Sequence, residues 1–135
     1  MTVHVSPPER RMNTPRLLIV DDEPEVTQYL KSYFDQKGIE TFTAATGDEA
    51  LELINSQQPS LVLLDIRLGK GVSGLEVLRR AKRAKSTAEF ICLSAVEDQN
   101  IVDMAKGLGA SSYITKPIVI AELDRIVLVR LKKNV

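Results

Sequence analysis

The sequence predicts one α/β domain, an open parallel sheet of five strands with helices packed on both faces. Two kinds of segment point to this. Short runs such as RLLIV and LVLLD are almost wholly apolar, as strands buried on both faces must be. Each strand is followed by a stretch with apolar residues at helical spacing, and the alternation recurs five times. Strands alternating with helices give a parallel sheet joined by right-handed crossovers.

The elements follow in order. Arg16 to Val20 (RLLIV) is the first buried strand, closed by Asp21 and Asp22. The next segment tolerates Pro24 only in a first helical turn, carries Val26, Leu30, Tyr33 and Phe34 at helical spacing, and closes at Gly38. Glu40 to Ala44 reads as a strand. Thr46-Gly47-Asp48-Glu49 forms a capping box ahead of Ala50, Leu51, Leu53 and Ile54, and Gln57, Gln58 and Pro59 end that helix. Leu61 to Asp65 is the most strongly apolar strand. The Gly-rich loop IRLGKGVSG leads from it into a helix starting near Ser73. Arg79, Arg80, Lys82, Arg83 and Lys85 gather toward the end of that helix, where cations complement the dipole; a docking face for an acidic partner is the other reading. Glu89 to Leu93 forms a strand ending at Ser94, and a short helix from Gln99 to Lys106 stops at Gly107 and Gly109. Ser111 to Thr115 is the last strand. Lys116-Pro117 enforces an extended residue, and a final helix runs from about Ile118 to Lys133.

Composition limits the function. A chain of 135 residues forms one domain able to bury roughly two-thirds of its unfolded surface without disulfides. Its 18 basic and 18 acidic residues cancel, so no global field favours nucleic acid or an anionic membrane. No run approaches the roughly 20 apolar residues of a membrane span, and the N-terminal segment lacks a signal-peptide core. The expected location is cytoplasmic. Cys92, inside FICLS, reads as a small buried hydrophobe, and residues 1–14, rich in Pro and charge, as a flexible leader in which His4 is neither ligand nor phosphodonor.

The polar residues closing the strands carry the chemistry. In an open parallel sheet these ends share one edge, so Asp21, Asp22, Asp65, Ser94 and Lys116 are expected to converge there. Adjacent aspartates closing a buried strand repel and lose hydration, a cost that a cation removes. Asp22, Asp65, a backbone carbonyl and waters suit magnesium, whose octahedral shell lies at roughly 2.0–2.1 Å, with manganese the alternative ion. A carboxylate can take a phosphoryl group as an acyl phosphate, and Asp65 is the candidate acceptor. The hydroxyl of Ser94 and the ammonium of Lys116 supply donors for phosphoryl oxygens. Each residue also has a plainer reading: a helix cap for Asp21-Asp22, a turn former for Asp65 or Ser94, an exposed cation for Lys116.

Together these motifs resemble the receiver domains of two-component response regulators, in which an acidic pair ends the first strand, the phosphoacceptor Asp the third and Ser or Thr the fourth, with Lys-Pro after the fifth. The likeness covers Arg16 to about Lys133. It implies a flavodoxin-like, doubly wound (βα)5 three-layer sandwich with strand order 2-1-3-4-5, the receiver occupying residues 15–135. It further implies that Asp22, Asp65 and the carbonyl of Arg67 hold magnesium directly and that Asp21 acts through water. Asp65 then accepts phosphate from a histidine kinase or histidine phosphotransfer protein, Lys116 pairs with the phosphoryl group, and Ser94 follows it. Tyr113 falls at the family's switch aromatic, with ordinary strand packing as the alternative. Such a receiver assists its own phosphorylation and dephosphorylation and is otherwise no enzyme.

Two departures from the family pattern mark candidate modulators. Gly69 stands where a proline is usual, in a loop one residue longer than the common one, and Arg67 sets a long cation beside the acceptor. In the last helix, Ile120, Leu123, Val127 and Leu131 form the core stripe, while Val119, Ile126 and Val129 form a second apolar stripe. That second stripe is expected to be a surface for a protein target or a homodimer, or else part of a broad core face. A magnesium-dependent phosphatase-like enzyme lacks support because Arg67, not Asp, follows two residues after Asp65. A flavodoxin-like binder of nucleotide or flavin lacks it because DDEPEV replaces a phosphate-cradling loop.

Overall fold

A computed structural model of the chain describes residues 14–95 and 98–133. The predicted leader, with His4, lies outside these residues apart from Thr14. The elements alternate as β1 (Arg16–Val20), α1 (Pro24–Gln36), β2 (Glu40–Ala44), α2 (Gly47–Gln57), β3 (Leu61–Asp65), α3 (Gly74–Arg83), β4 (Glu89–Ser94), α4 (Gln99–Gly107), β5 (Ser112–Thr115) and α5 (Ile120–Lys133). All pairings are parallel and the sheet order is β2-β1-β3-β4-β5, as expected for the doubly wound three-layer fold.

The two-residue periodicity of the strands divides the core between the faces. Leu18, Val20, Val62, Leu64, Phe90 and Cys92 point to one side, where they pack with residues of α2, α3 and α4 such as Ile54, Val77 and Ala105. Leu17, Ile19, Leu61, Leu63, Ile91 and Leu93 point to the other, against Leu30 and Phe34 of α1 and Leu123, Val127 and Leu131 of α5. Because both faces are covered, β3 is buried along its whole length, and this is why its sequence is continuously apolar. Burial pushes the Cys92 thiol up to about 12, leaving it a packed hydrophobe.

Local capping matches the sequence closely. Thr46 accepts the Glu49 N–H at 3.1 Å, and the Glu49 carboxylate takes the Ala45 N–H at 2.8 Å, one residue ahead of the cap. Ser73 caps α3 through the Glu76 N–H. The basic end of α3 is partly engaged within its own helix. Arg79 and Arg80 both bind Glu76, and these bonds, that of Arg79 foremost, hold its carboxyl down at about 2. The Lys82 ammonium lies 5.5 Å from the centre of the Phe90 ring.

Two boundaries differ from expectation. β5 begins at Ser112 rather than Ser111. The last helix begins at Ile120, not Ile118: Pro117 donates no bond, and the first helical N–H groups, of Glu122 and Leu123, bond to the carbonyl of Val119. Among the described residues no helix is long and apolar enough to cross a membrane.

Candidate functional site

The carboxyl ends of β1 and β3 are neighbours, and the loops leaving them bring three carboxylates together. Asp21 and Asp65 are buried at 1% and 4% exposure, while Asp22 is exposed. One oxygen from each lies within 4.8 Å of the others, an all-oxygen set suited to a hard divalent cation. Neither Asp21 nor Asp22 caps α1: the cap position is Glu23, without a side-chain cap bond. The plainer reading of the acidic pair therefore fails.

Lys116 crosses to this cluster from the end of β5. Its ammonium lies 2.7 Å from Asp21 Oδ2, 3.0 Å from Asp65 Oδ2 and 3.3 Å from Glu23 Oε1. The remaining oxygens of the buried pair are held by backbone: Asp21 Oδ1 accepts the Glu23 N–H at 2.9 Å and Asp65 Oδ1 accepts the Arg67 N–H at 2.9 Å. Asp65 thus forms the Asx-type turn that was its plainer reading, with its second oxygen turned to Lys116. Asp22 Oδ2 accepts the Gly69 N–H at 3.0 Å.

These surroundings shift the protonation equilibria. Desolvation raises the Asp65 pKa; the Arg67 N–H and Lys116 oppose it, and the Asp21 charge adds to it. Desolvation works against the Lys116 ammonium, but the hydrogen bonds and charges of Asp21 and Asp65 outweigh it and its pKa is raised. Lys116 is therefore a fixed cation beside two buried carboxylates.

The other expected residues fall around this centre. Ser94 is fully buried at the end of β4, and its carbonyl accepts the Lys116 N–H at 2.8 Å. Tyr113, opposite Cys92 in the β4–β5 register, is partly buried against the α2–α4 side of the core. Arg67 and Gly69 are exposed in the loop after Asp65. The residues of the second apolar stripe line two grooves. Val119 precedes α5 and, with half-buried Ile126, lines a groove of about 400 Å3 beside Tyr113, whereas Val129 lines a different groove with Pro15 and Ile39.

Two contributors escaped the sequence reading. Glu23 is a third acidic partner of Lys116, and the acidic run Asp21-Asp22-Glu23 was its only signal. Gly74, first residue of α3, lies under the acceptor strand, where a Cβ would meet the Asp65 carbonyl oxygen at 2.2 Å and Ile66 Cα at 2.7 Å. Its side chain is missing because backbone passes there. Gly74→Ala is expected to destabilise the fold by about 2–3 kcal/mol through forced backbone displacement, a loss read from the urea midpoint at constant m-value.

The response regulator receiver domain family matches residues 17–128. The chain is 34% identical over 112 residues to sporulation initiation phosphotransferase F of Bacillus subtilis, a match covering 83% of this chain and 90% of that protein. It is 36% identical over 121 residues to the DNA-binding response regulator MtrA of Mycolicibacterium smegmatis, covering 88% of this chain and 51% of the relative. The match thus spans about half of that DNA-binding response regulator but nearly all of the phosphotransferase. Among solved structures, the receiver domain of Francisella response regulator 1452 superposes with a TM-score of 0.83 at 29% identity, covering 90% of this chain and all of that one. A CheY-like receiver domain protein from Methanospirillum hungatei gives 0.84 at 27% identity, covering 90% and 96%. By sequence and fold alike, the chain belongs to the response regulator receiver domain family.

Proposed function

We propose that Asp65 is the phosphoacceptor of this receiver, taking a phosphoryl group from a histidine kinase or histidine phosphotransfer protein. The observation that carries this reading is the Asp65 carboxylate lying 3.0 Å from the Lys116 ammonium and sharing one oxygen cluster with Asp21 and Asp22 at the sheet edge. In the transfer, an Asp65 carboxylate oxygen forms the new bond to phosphorus as the donor's P–N bond breaks and the imidazole leaves. Lys116, held now by Asp21 and Asp65, supplies positive charge for the phosphoryl oxygens, and the Ser94 hydroxyl a further donor.

Magnesium fits the oxygen set, with Asp22, Asp65 and the Arg67 carbonyl as its ligands and Asp21 in support; manganese is the alternative ion. When bound, it neutralises charge on the phosphoryl group. Withdrawal of Ser94 toward that group frees space for Tyr113, and the groove lined by Tyr113, Val119 and Ile126 is the surface that a protein target or a second copy reads. We place this activity in the cytoplasm, over residues 15–135, and assign it no external substrate.

The test is intact-protein mass after incubation with Mg2+ and acetyl phosphate. One added phosphoryl group, lost when a chelator is present, is expected; unmodified protein in both samples would remove the assignment. Arg67→Ala serves as a second probe. Its long cation beside the acceptor is expected to govern access of water to the acyl phosphate, so the variant's phosphoryl half-life should change by about three- to tenfold. A decay identical to wild type would exclude Arg67 from the chemistry.

A further inference from the structure

We propose that the backbone amide of Gly69 is a positioning group for Asp22, and that the seating of the β3–α3 loop on the start of α2 keeps it there. The inference rests on reading Asp21, Asp22 and Asp65 as a cation site. Lys116 orients Asp21 and Asp65, but Asp22 is exposed, and a short carboxylate in water has no fixed rotamer. A contact spanning 47 residues fixes it: the Gly69 N–H donates to Asp22 Oδ2 at 3.0 Å. In this same orientation an oxygen of Asp22 lies within 4.8 Å of those of Asp21 and Asp65. A carboxylate has about four acceptor sites, so one bond to an amide leaves room for a cation. The bonded rotamer is thus already turned toward the shared centre.

A Cβ at residue 69 would stand 2.9 Å from Asp22 Oδ2, the movable end of an exposed side chain, so alanine displaces that oxygen slightly while keeping the N–H. The other end of the loop is seated against α2. A Cβ on Gly47 would meet the Val72 carbonyl oxygen at 2.3 Å, and Val72 packs against the core beneath. Between them Gly71 takes a left-handed φ of +73°, where a side chain would be strained and its Cβ would stand 3.2 Å from Asp48 Oδ2. The first turn of α2 therefore sets the height of the loop, and the loop sets the rotamer of Asp22.

The experiment is calorimetric titration of Mg2+ into the wild-type chain and the Gly69→Ala and Gly69→Pro variants. Both variants add a Cβ, but only proline deletes the N–H, so their ratio isolates the hydrogen bond. The proline variant is expected to bind Mg2+ about three- to tenfold more weakly than the alanine variant, the range for a charge-assisted bond at an exposed site. In wild-type protein the Gly69 amide should show slowed hydrogen exchange and a downfield resonance, both lost in Asp22→Ala while the remaining spectrum stays dispersed. These amide measurements alter no residue of the loop and decide the point whatever the proline does to folding. Equal Mg2+ affinities for the two variants, or a Gly69 amide indifferent to Asp22→Ala, overturns the positioning role alone. A wild-type chain that binds no Mg2+ overturns the cation site and the positioning role together.

Discussion

Asp65→Asn is expected to lower phosphoryl incorporation from acetyl phosphate by on the order of 10³-fold, because the amide keeps the shape of the acceptor but removes its nucleophilic oxygen anion. The fold should survive and gain stability. Desolvation raises the Asp65 carboxyl in the folded protein, so the folded state favours the protonated form more than the unfolded chain does. Below the unfolded value of about 3.9 both states are protonated and the group contributes nothing. As pH rises past that value and through the raised folded one, ionised Asp65 withdraws stability, and the loss persists at neutral pH. The Asn variant avoids it. Its Tm at pH 7 should exceed that of wild type, and the gain should vanish in acid. Added Mg2+ should narrow the difference, since a ligand of the folded state stabilises wild type but loses one of its carboxylates in the variant. A variant less stable than wild type at pH 7 would mean that the bond to Lys116 outweighs burial.

Lys116→Ala should have the opposite signature. The ammonium touches two buried carboxylates, and removing it leaves Asp21 and Asp65 facing each other without compensation. Breaking a buried pair by deleting one partner costs about 3–5 kcal/mol; Lys116 retains 15% side-chain exposure, so about 2–4 kcal/mol is expected here. The cost belongs to ionised carboxylates, so stability of the variant should recover as pH falls and one of the pair protonates. In wild type, the raised Lys116 value means that its contribution is complete below about pH 10 and is lost only as pH climbs through that folded value. Urea titrations of both proteins between neutral and mildly acidic pH separate these behaviours. Phosphoryl incorporation should fall as well, by about 10²-fold, since no other cation described in the structure contacts Asp65.

Much of this was legible in the sequence because its signals were local. RLLIV and LVLLD are apolar at every position since both sheet faces are covered, and the two Asp-closed strands turn out to be neighbours. Thr46 and Glu49 announced their cap by spacing alone. The start of α5 was misplaced because Ile118 and Val119 continue its apolar pattern, whereas the first helical bonds wait for Val119. The second stripe of that helix was legible in part: Ile126 and Val129 lie within it three residues apart, and Val119 sits just ahead of its first residue. Gly69, Gly74 and Gly47 show a different limit. Gly47 and Gly74 stand where loop or strand backbone passes within a Cβ's reach and Gly69 faces the Asp22 carboxylate, and no spacing rule encodes contacts between Gly69 and Asp22 or between Gly47 and Val72. Gly69 was singled out only as a departure from a proline; its bond to Asp22 gives that departure a physical content.

The central claim is that one particular carboxylate accepts the phosphoryl group. Borohydride reduction of the freshly phosphorylated chain converts an aspartyl phosphate into homoserine, and peptide mass spectrometry then places the converted residue in the sequence. Homoserine at position 65, and nowhere else, is the predicted result; homoserine at position 21 or 22, or none in a protein that has gained the phosphoryl mass, would contradict it.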